Sequence, residues 1–175
     1  PDLTRDRLIG VLDRMHAFWV AAEEGLDDWA RHCPEDADEL DWPRRRRADL
    51  FAADLAALRA TPVDDPAPAA LPILPALRDT DDALGRLYVL EGSSLGGVFI
   101  DRHLAQLPGL AGVGIRAFSP YGSETGAMWA AFRRATRARV AEGGNAGVML
   151  AAARATFGAL ADWCAPAGRA QAVGT

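Results

Sequence analysis

Residues 87–100, LYVLEGSSLGGVFI, set one carboxylate (Glu91), two hydroxyls (Ser93 and Ser94) and three glycines (Gly92, Gly96 and Gly97) inside an otherwise apolar run. As a strand, positions 87–90 would fit, but Glu91 and the glycines break the pattern and no hairpin partner lies nearby. As a phosphate cradle the stretch lacks the Gly-Lys-Ser/Thr ending and no strand precedes it. A helix with glycines inside it remains. Such glycines cost about 2–3 kcal/mol together against alanine, so something must offset them. One offset is close packing of helix backbones. The other is a bend that presents bare backbone to a flat ligand approaching closely. The flanking serines fit both.

Other residues able to do chemistry are few. All 19 basic residues are arginine, which removes lysine Schiff-base chemistry and leaves planar, permanently charged forks for any anion. Arg133, Arg134, Arg137 and Arg139 form a basic cluster suited to a carboxylate or, equally, to a solvated helix face. The three histidines are His16, His32 and His103. His16 lies on a packed stripe, His32 reads as a cap or surface group, and His103 falls six residues after Gly97. Cys33 and Cys164 form no CxxC unit and read as reduced, structural cysteines. The net charge of −5 argues against non-specific nucleic-acid binding. No apolar run reaches the roughly 18 residues of a membrane helix, so a soluble, cytoplasmic protein is expected.

The elements that must position these groups are helical. From an N-cap at Thr4, apolar residues recur at Leu8, Val11, Leu12, Met15, Phe18, Trp19, Ala22, Leu26 and Trp29 with the spacing of an amphipathic helix. The pattern returns over 44–59 through Leu50, Phe51, Leu55 and Leu58. A proline-rich connection over 61–75 follows. Thr80, followed by Asp81 and Asp82, predicts the N-terminus of the glycine-bearing helix, with Pro108 and Gly109 ending it. A glycine-rich loop runs to about Gly122. Ser123 and Glu124 open a helix carrying Met128, Phe132, Arg133 and Arg137, and Gly143-Gly144-Asn145 separates it from a last apolar helix with Val148, Ala152, Phe157, Leu160 and Trp163. About five helices and no strand pair predict an all-α fold with residues 1–175 as one compact helical domain.

With these elements in order, LYVLEGSSLGG, MWAAFRRATRARV and ATFGALADW resemble the haem oxygenases, in particular the bacterial, biliverdin-producing branch associated with bacteriophytochromes. The stretch LTRDRLIGVLDRMHAFWVAAEEGL is similar to that family's second helix. The resemblance covers nearly the whole chain, and its EGSxLGG core is the most specific part. It implies a haem, both substrate and cofactor, held between a proximal helix that gives a histidine to iron and a kinked, glycine-rich distal helix. With O2 and electrons from an external reductase or ferredoxin, haem is cleaved to biliverdin, CO and free iron, and biliverdin would pass to a downstream bacteriophytochrome.

Carried onto this sequence, the resemblance implies that Gly92, Ser93, Gly96 and Gly97 form the distal motif. The missing side chains at Gly96 and Gly97 would leave room for dioxygen and its hydrogen-bonded water. Ser93 stands where many members place a polar residue, often aspartate; a hydroxyl bonded to its own helix backbone is the structural alternative. Arg133 matches a position that pairs with a haem propionate, with Arg137 one turn further along. Tyr88 and Phe118 are pocket walls or ordinary core. The departure is the proximal histidine, which the family carries on a first helix upstream of the segment matching Leu3; His16 is a weak substitute. The chain begins at proline, and the expectation is a trimmed upstream helix. Two alternatives stay open: a non-enzymatic tetrapyrrole carrier or haem sensor on the same scaffold, and a thiaminase-like chemistry that would need a nucleophilic cysteine with carboxylates.

Overall fold

The computed structural model describes residues 3–59, 71–107, 110 and 112–165, with the Val98 side chain left aside. Residues 60–70 of the proline-rich connection, and Pro108 and Gly109, lie outside the described residues. Every regular element among the described residues is helical, as expected. In chain order they are α1 (Arg5–His32), α2 (Pro34–Glu39), α3 (Trp42–Arg45), α4 (Ala48–Leu58), α5 (Thr80–Ser93), α6 (Gly97–Ala105), α7 (Thr125–Ala141) and α8 (Ala146–Cys164). Single 3-10 turns stand at Ser94–Gly96, Arg116–Phe118 and Gly122–Glu124.

α1 is the spine. The Thr4 hydroxyl accepts from the Arg7 amide, satisfying one of the first-turn donors, and the predicted stripe is the face that is buried: Leu8, Leu12, Phe18, Trp19, Ala22, Leu26 and Trp29. Val11, on the same predicted stripe, stays exposed. α4 lays Phe51, Leu55 and Leu58 against this face, with the Trp19 and Phe51 rings 5.1 Å apart. α8 is tied back to α1 by the Trp163 indole, which donates to the Arg14 carbonyl at 2.8 Å.

α5 and α8 run side by side in the same direction, because the Asp81 carboxylate receives the Asn145 amide at 2.7 Å while Gly85 lies against Met149 and Ala152. A Cβ at Gly85 would stand 2.6 Å from the Ala152 Cβ and 2.9 Å from the Ala153 nitrogen. The missing side chain is what lets the two backbones touch.

Several boundaries differ from the sequence reading. The helix expected over 44–59 is two helices, broken where Arg46 is extended (φ −68°, ψ 139°). The break is held from outside: the Glu23 carboxylate of α1 accepts the Arg47 amide at 2.6 Å and the Ala48 amide at 2.9 Å, capping α4 from another helix. The N-cap of α5 is Asp79, whose side chain accepts the Asp82 amide, and not Thr80. Thr80 instead accepts from the Trp29 indole at 3.2 Å and donates to Asp36. α2 had no periodicity long enough to announce it, and with the breaks at Arg46 and at Ser94–Gly96 the count of five becomes eight among the described residues. The helix expected from Ser123 begins as a 3-10 turn and becomes α7 at Thr125. No described helix is long and apolar enough to cross a membrane.

Candidate functional site

The glycine-bearing run is helical throughout, but not continuous. α5 ends at Ser93, a 3-10 turn spans Ser94–Gly96, and α6 resumes at Gly97. A mid-helix 3-10 turn is a local tightening that costs hydrogen-bond geometry and is found at functional hinges. Here the Ser94 amide turns to the Glu91 and Gly92 carbonyls, so the Leu90 carbonyl loses its normal i+4 donor. Two side chains replace it. The Ser93 hydroxyl donates to Leu90 O at 2.6 Å, and the Arg47 guanidinium donates to the same oxygen. Arg47 also donates to Ser93 Oγ at 3.2 Å. The Ser94 hydroxyl closes the turn on Glu91 O at 2.7 Å.

Beneath the bend lies a buried ionic cluster. Arg45 and Glu91, only 3% and 1% exposed, pair at 2.6 Å, and the Tyr121 hydroxyl donates to the other Glu91 oxygen at 2.7 Å. Burial, with the Glu91 charge, pushes the Tyr121 phenol well above its ordinary pKa, so it remains a donor. Arg47 is fully buried, stacked over the Trp19 ring at 5.1 Å, and desolvation lowers its pKa. Burial raises the Glu23 carboxyl, against the two amide hydrogen bonds that favour its ionised form. The cluster joins α1, α3, α4, α5 and the segment before α7 at one point.

The backbone of the bend does not itself call for glycine: Gly96 (φ −85°, ψ −10°) and Gly97 (φ −55°, ψ −45°) are right-handed, and Gly92 is not among the positive-φ residues. The neighbours separate the three. A Cβ at Gly97 would overlap the Phe118 carbonyl and the Ser119 hydroxyl, so this glycine seats α6 on the Arg116–Phe118 turn. Asp54 fixes that turn by accepting the Ala117 amide at 2.9 Å, and the Phe118 ring meets Phe51 edge-on at 5.8 Å. At Gly92 and Gly96 an added Cβ would meet no atom of the described residues within 4 Å. The room expected at both Gly96 and Gly97 is therefore present at Gly96, whereas at Gly97 it is filled by protein.

Helical spacing places Tyr88, Gly92, Gly96, Phe99 or Ile100, and His103 along one side of the bent pair. Tyr88 and Phe99 are exposed, the former with its ring 5.5 Å from Trp129 of α7. Downstream, the same side forms an apolar cleft of about 400 Å³, walled by Phe99, Ile100 and Leu104 of α6, Leu8 and Val11 of α1, and Phe118. Leu3 and His103 also line it. A concavity between α2, α5 and α7 that includes Asp36, Glu39 and Glu142 encloses only about 40 Å³, too small for anything beyond water or an ion.

The remaining predicted residues distribute as follows. Arg133 and Arg137 are exposed on α7, with no hydrogen bond or ion pair among the described residues, and Arg133 lies one turn past Trp129. Arg139 of the same cluster is committed to Asp81 at 2.9 Å. Ser93 makes the backbone bond that was its structural alternative. His16 is half-buried on α1, and exposed His32 has its Nδ1 2.7 Å from the Asp28 carbonyl. Among the described residues no group of three His, Cys, Asp or Glu side chains is placed to hold a metal. Cys33 and Cys164 are both free, and burial raises the Cys164 thiol, which does not favour a nucleophile.

Sequence reasoning missed Arg45, Arg47, Glu23 and Tyr121, and treated Glu91 only as a strand breaker. One signal was available: a lone carboxylate in an apolar helix requires a buried partner, and the run RRRR at 44–47 offers one.

No family model matches the chain, and no solved structure matches it at a significant level. Among curated proteins, it is 38% identical over 107 residues to a protein of Xanthomonas campestris pv. campestris (strain 8004) named Heme oxygenase. The match takes in 61% of this chain and 58% of that protein, so the chain spans less than two thirds of its relative's length.

Proposed function

We propose that this chain is a haem-degrading oxygenase whose bent α5–α6 pair forms the distal wall of the haem site. One observation carries the reading: Gly92 and Gly96 flank the bend between α5 and α6 on one helical side with Tyr88 and Phe99, and with no neighbour among the described residues within 4 Å in the Cβ direction they leave bare backbone there for a flat ligand. The curated relative's name and the apolar cleft walled by Phe99 and Ile100 of α6 support the same assignment.

Haem brings the redox chemistry, ring cleavage with O2 and external electrons to biliverdin, CO and iron. This chain's residues do the rest. The glycine face admits the macrocycle, and the apolar cleft excludes water from it. Arg133, with Arg137 beside it, offers bidentate donors to the propionates at the rim. Ser93 keeps one lone pair for a water, since its proton is given to Leu90. None of the three histidines is placed to serve as an iron ligand opposite the glycine face. His103 is seven residues beyond Gly96, about 10 Å along the helix, and His16 and His32 lie on α1. On this reading a histidine that would ligate the iron belongs, as in the family the chain resembles, to a helix preceding α1 within the same domain. It also places the protein with a ferredoxin-like or flavoprotein electron donor and, as a biliverdin source, upstream of a bacteriophytochrome.

The test mixes the full-length protein with hemin, records the Soret band, then adds reductant and oxygen in the presence of catalase. Loss of the Soret band with bilin absorbance rising is expected. A Soret band that survives many reducing equivalents would make the protein a haem carrier or sensor, and no Soret band at all would sink both.

A further inference from the structure

We propose that Arg47 is a positioning residue that sets the bend between α5 and α6 and thereby the height of the Gly92–Gly96 face. The inference rests on the haem reading above for its catalytic consequence, but its structural half stands apart. The 3-10 turn strands the Leu90 carbonyl, whose usual i+4 amide, that of Ser94, turns to Glu91 and Gly92. A buried carbonyl without a donor is costly, and the Leu90 oxygen takes side-chain donors from Ser93 and Arg47. Arg47 reaches both Leu90 O and Ser93 Oγ, one with each terminal nitrogen of its planar fork. It is held in place for this: its own amide is bound by Glu23 of α1, and its guanidinium lies on the Trp19 ring. Because the side chain is fully buried and built into α1 and α4, it transmits the position of the core to the bend.

The relation between Arg47 and the ionic pair beside it supports a division of labour. Arg45 takes the Glu91 carboxylate, and Tyr121 takes the remaining Glu91 oxygen, leaving Arg47 to the backbone. Without the guanidinium the Ser94–Gly96 turn keeps the Ser93 hydroxyl as its one side-chain donor to Leu90 O among the described residues, and the glycine face loses its fixed height.

The experiment uses full-length wild type, Arg47→Gln and Arg47→Lys. In the haem-free proteins, amide hydrogen exchange across 90–97 is expected to quicken about tenfold or more in Arg47→Gln, with the centres of α1 and α8 unchanged. Hemin affinity by Soret titration should stay within about threefold, while single-turnover haem decay falls about 10²-fold, the scale of a misplacement near 1 Å. Arg47→Lys should lie between. Unchanged exchange at 90–97, or equal acceleration throughout α1 and α8, would overturn the inference, as would altered exchange with unaltered haem decay. If Arg47→Gln does not fold, Arg47→Lys carries the same three measurements. A wild type that neither binds nor degrades hemin would defeat the haem reading instead, leaving the exchange result to decide the structural half.

Discussion

Gly85 and Gly92 are two helical turns apart on α5, yet their surroundings are opposite. Gly85 is sealed by the α8 backbone at Met149 and Ala153 and by the Ala152 methyl, whereas a Cβ at Gly92 would meet no atom of the described residues within 4 Å. The same contrast recurs across the bend, where Gly97 is pressed on Phe118 and Ser119 and Gly96 is open. Glycine thus serves two ends in one short segment. At the sealed pair it is a packing residue whose absent side chain is replaced by protein atoms. At the open pair it forgoes helix stability without any contact in return from the protein itself, which is what a ligand surface requires.

The comparison breaks most visibly at Gly96. Gly96→Leu would fill the open face, and haem turnover should fall by about 10²-fold or more, while the melting temperature moves little, since no packed atom is displaced. Unchanged turnover would mean that the open face at Gly96 takes no haem. Next in size, Gly85→Ala forces the α5 and α8 backbones apart and should destabilise the fold by about 1–3 kcal/mol, read as a lower denaturant midpoint; an unaltered midpoint would mean that the contact yields freely. Gly92→Ala should act with the opposite sign, stabilising the haem-free protein by about 0.5–1 kcal/mol through helix propensity while weakening hemin binding in the Soret titration.

The smallest effect belongs to the sealed end. Asp82, one turn before Gly85, is held below the ordinary carboxyl range by its hydrogen bonds from Arg78. A depressed native pKa gives stability that is present above the unfolded value and is lost as pH falls through the native one. Thermal melts between pH 7 and pH 3 should therefore fall less steeply at the acid end for Asp82→Asn than for wild type. The difference should be slight, because Arg78 is largely exposed and the pair is screened.

Much of this was legible in the sequence. The α1 stripe, the Thr4 cap and the glycine-bearing helix follow from periodicity of period 3.6 and from a capping hydroxyl, both local properties. The break at Arg46 and Arg47 was not legible, because the group that enforces it is Glu23, 24 residues earlier for Arg47. Nor was the commitment of Thr80 to Trp29 and Asp36, which left Asp79 to cap α5. In each case a distant side chain outbid a local preference.

The glycines divide the same way. Sequence alone determined that three of them interrupt one helix, that arginine is the sole strong cation, and that the fold is all-α, since these depend on residue type and short-range spacing. Only tertiary structure decided which glycines are packed and which are bare, and which arginine holds the bend. A glycine carries no side chain to betray its neighbours, and a buried guanidinium reads as a surface charge until the chain closes over it.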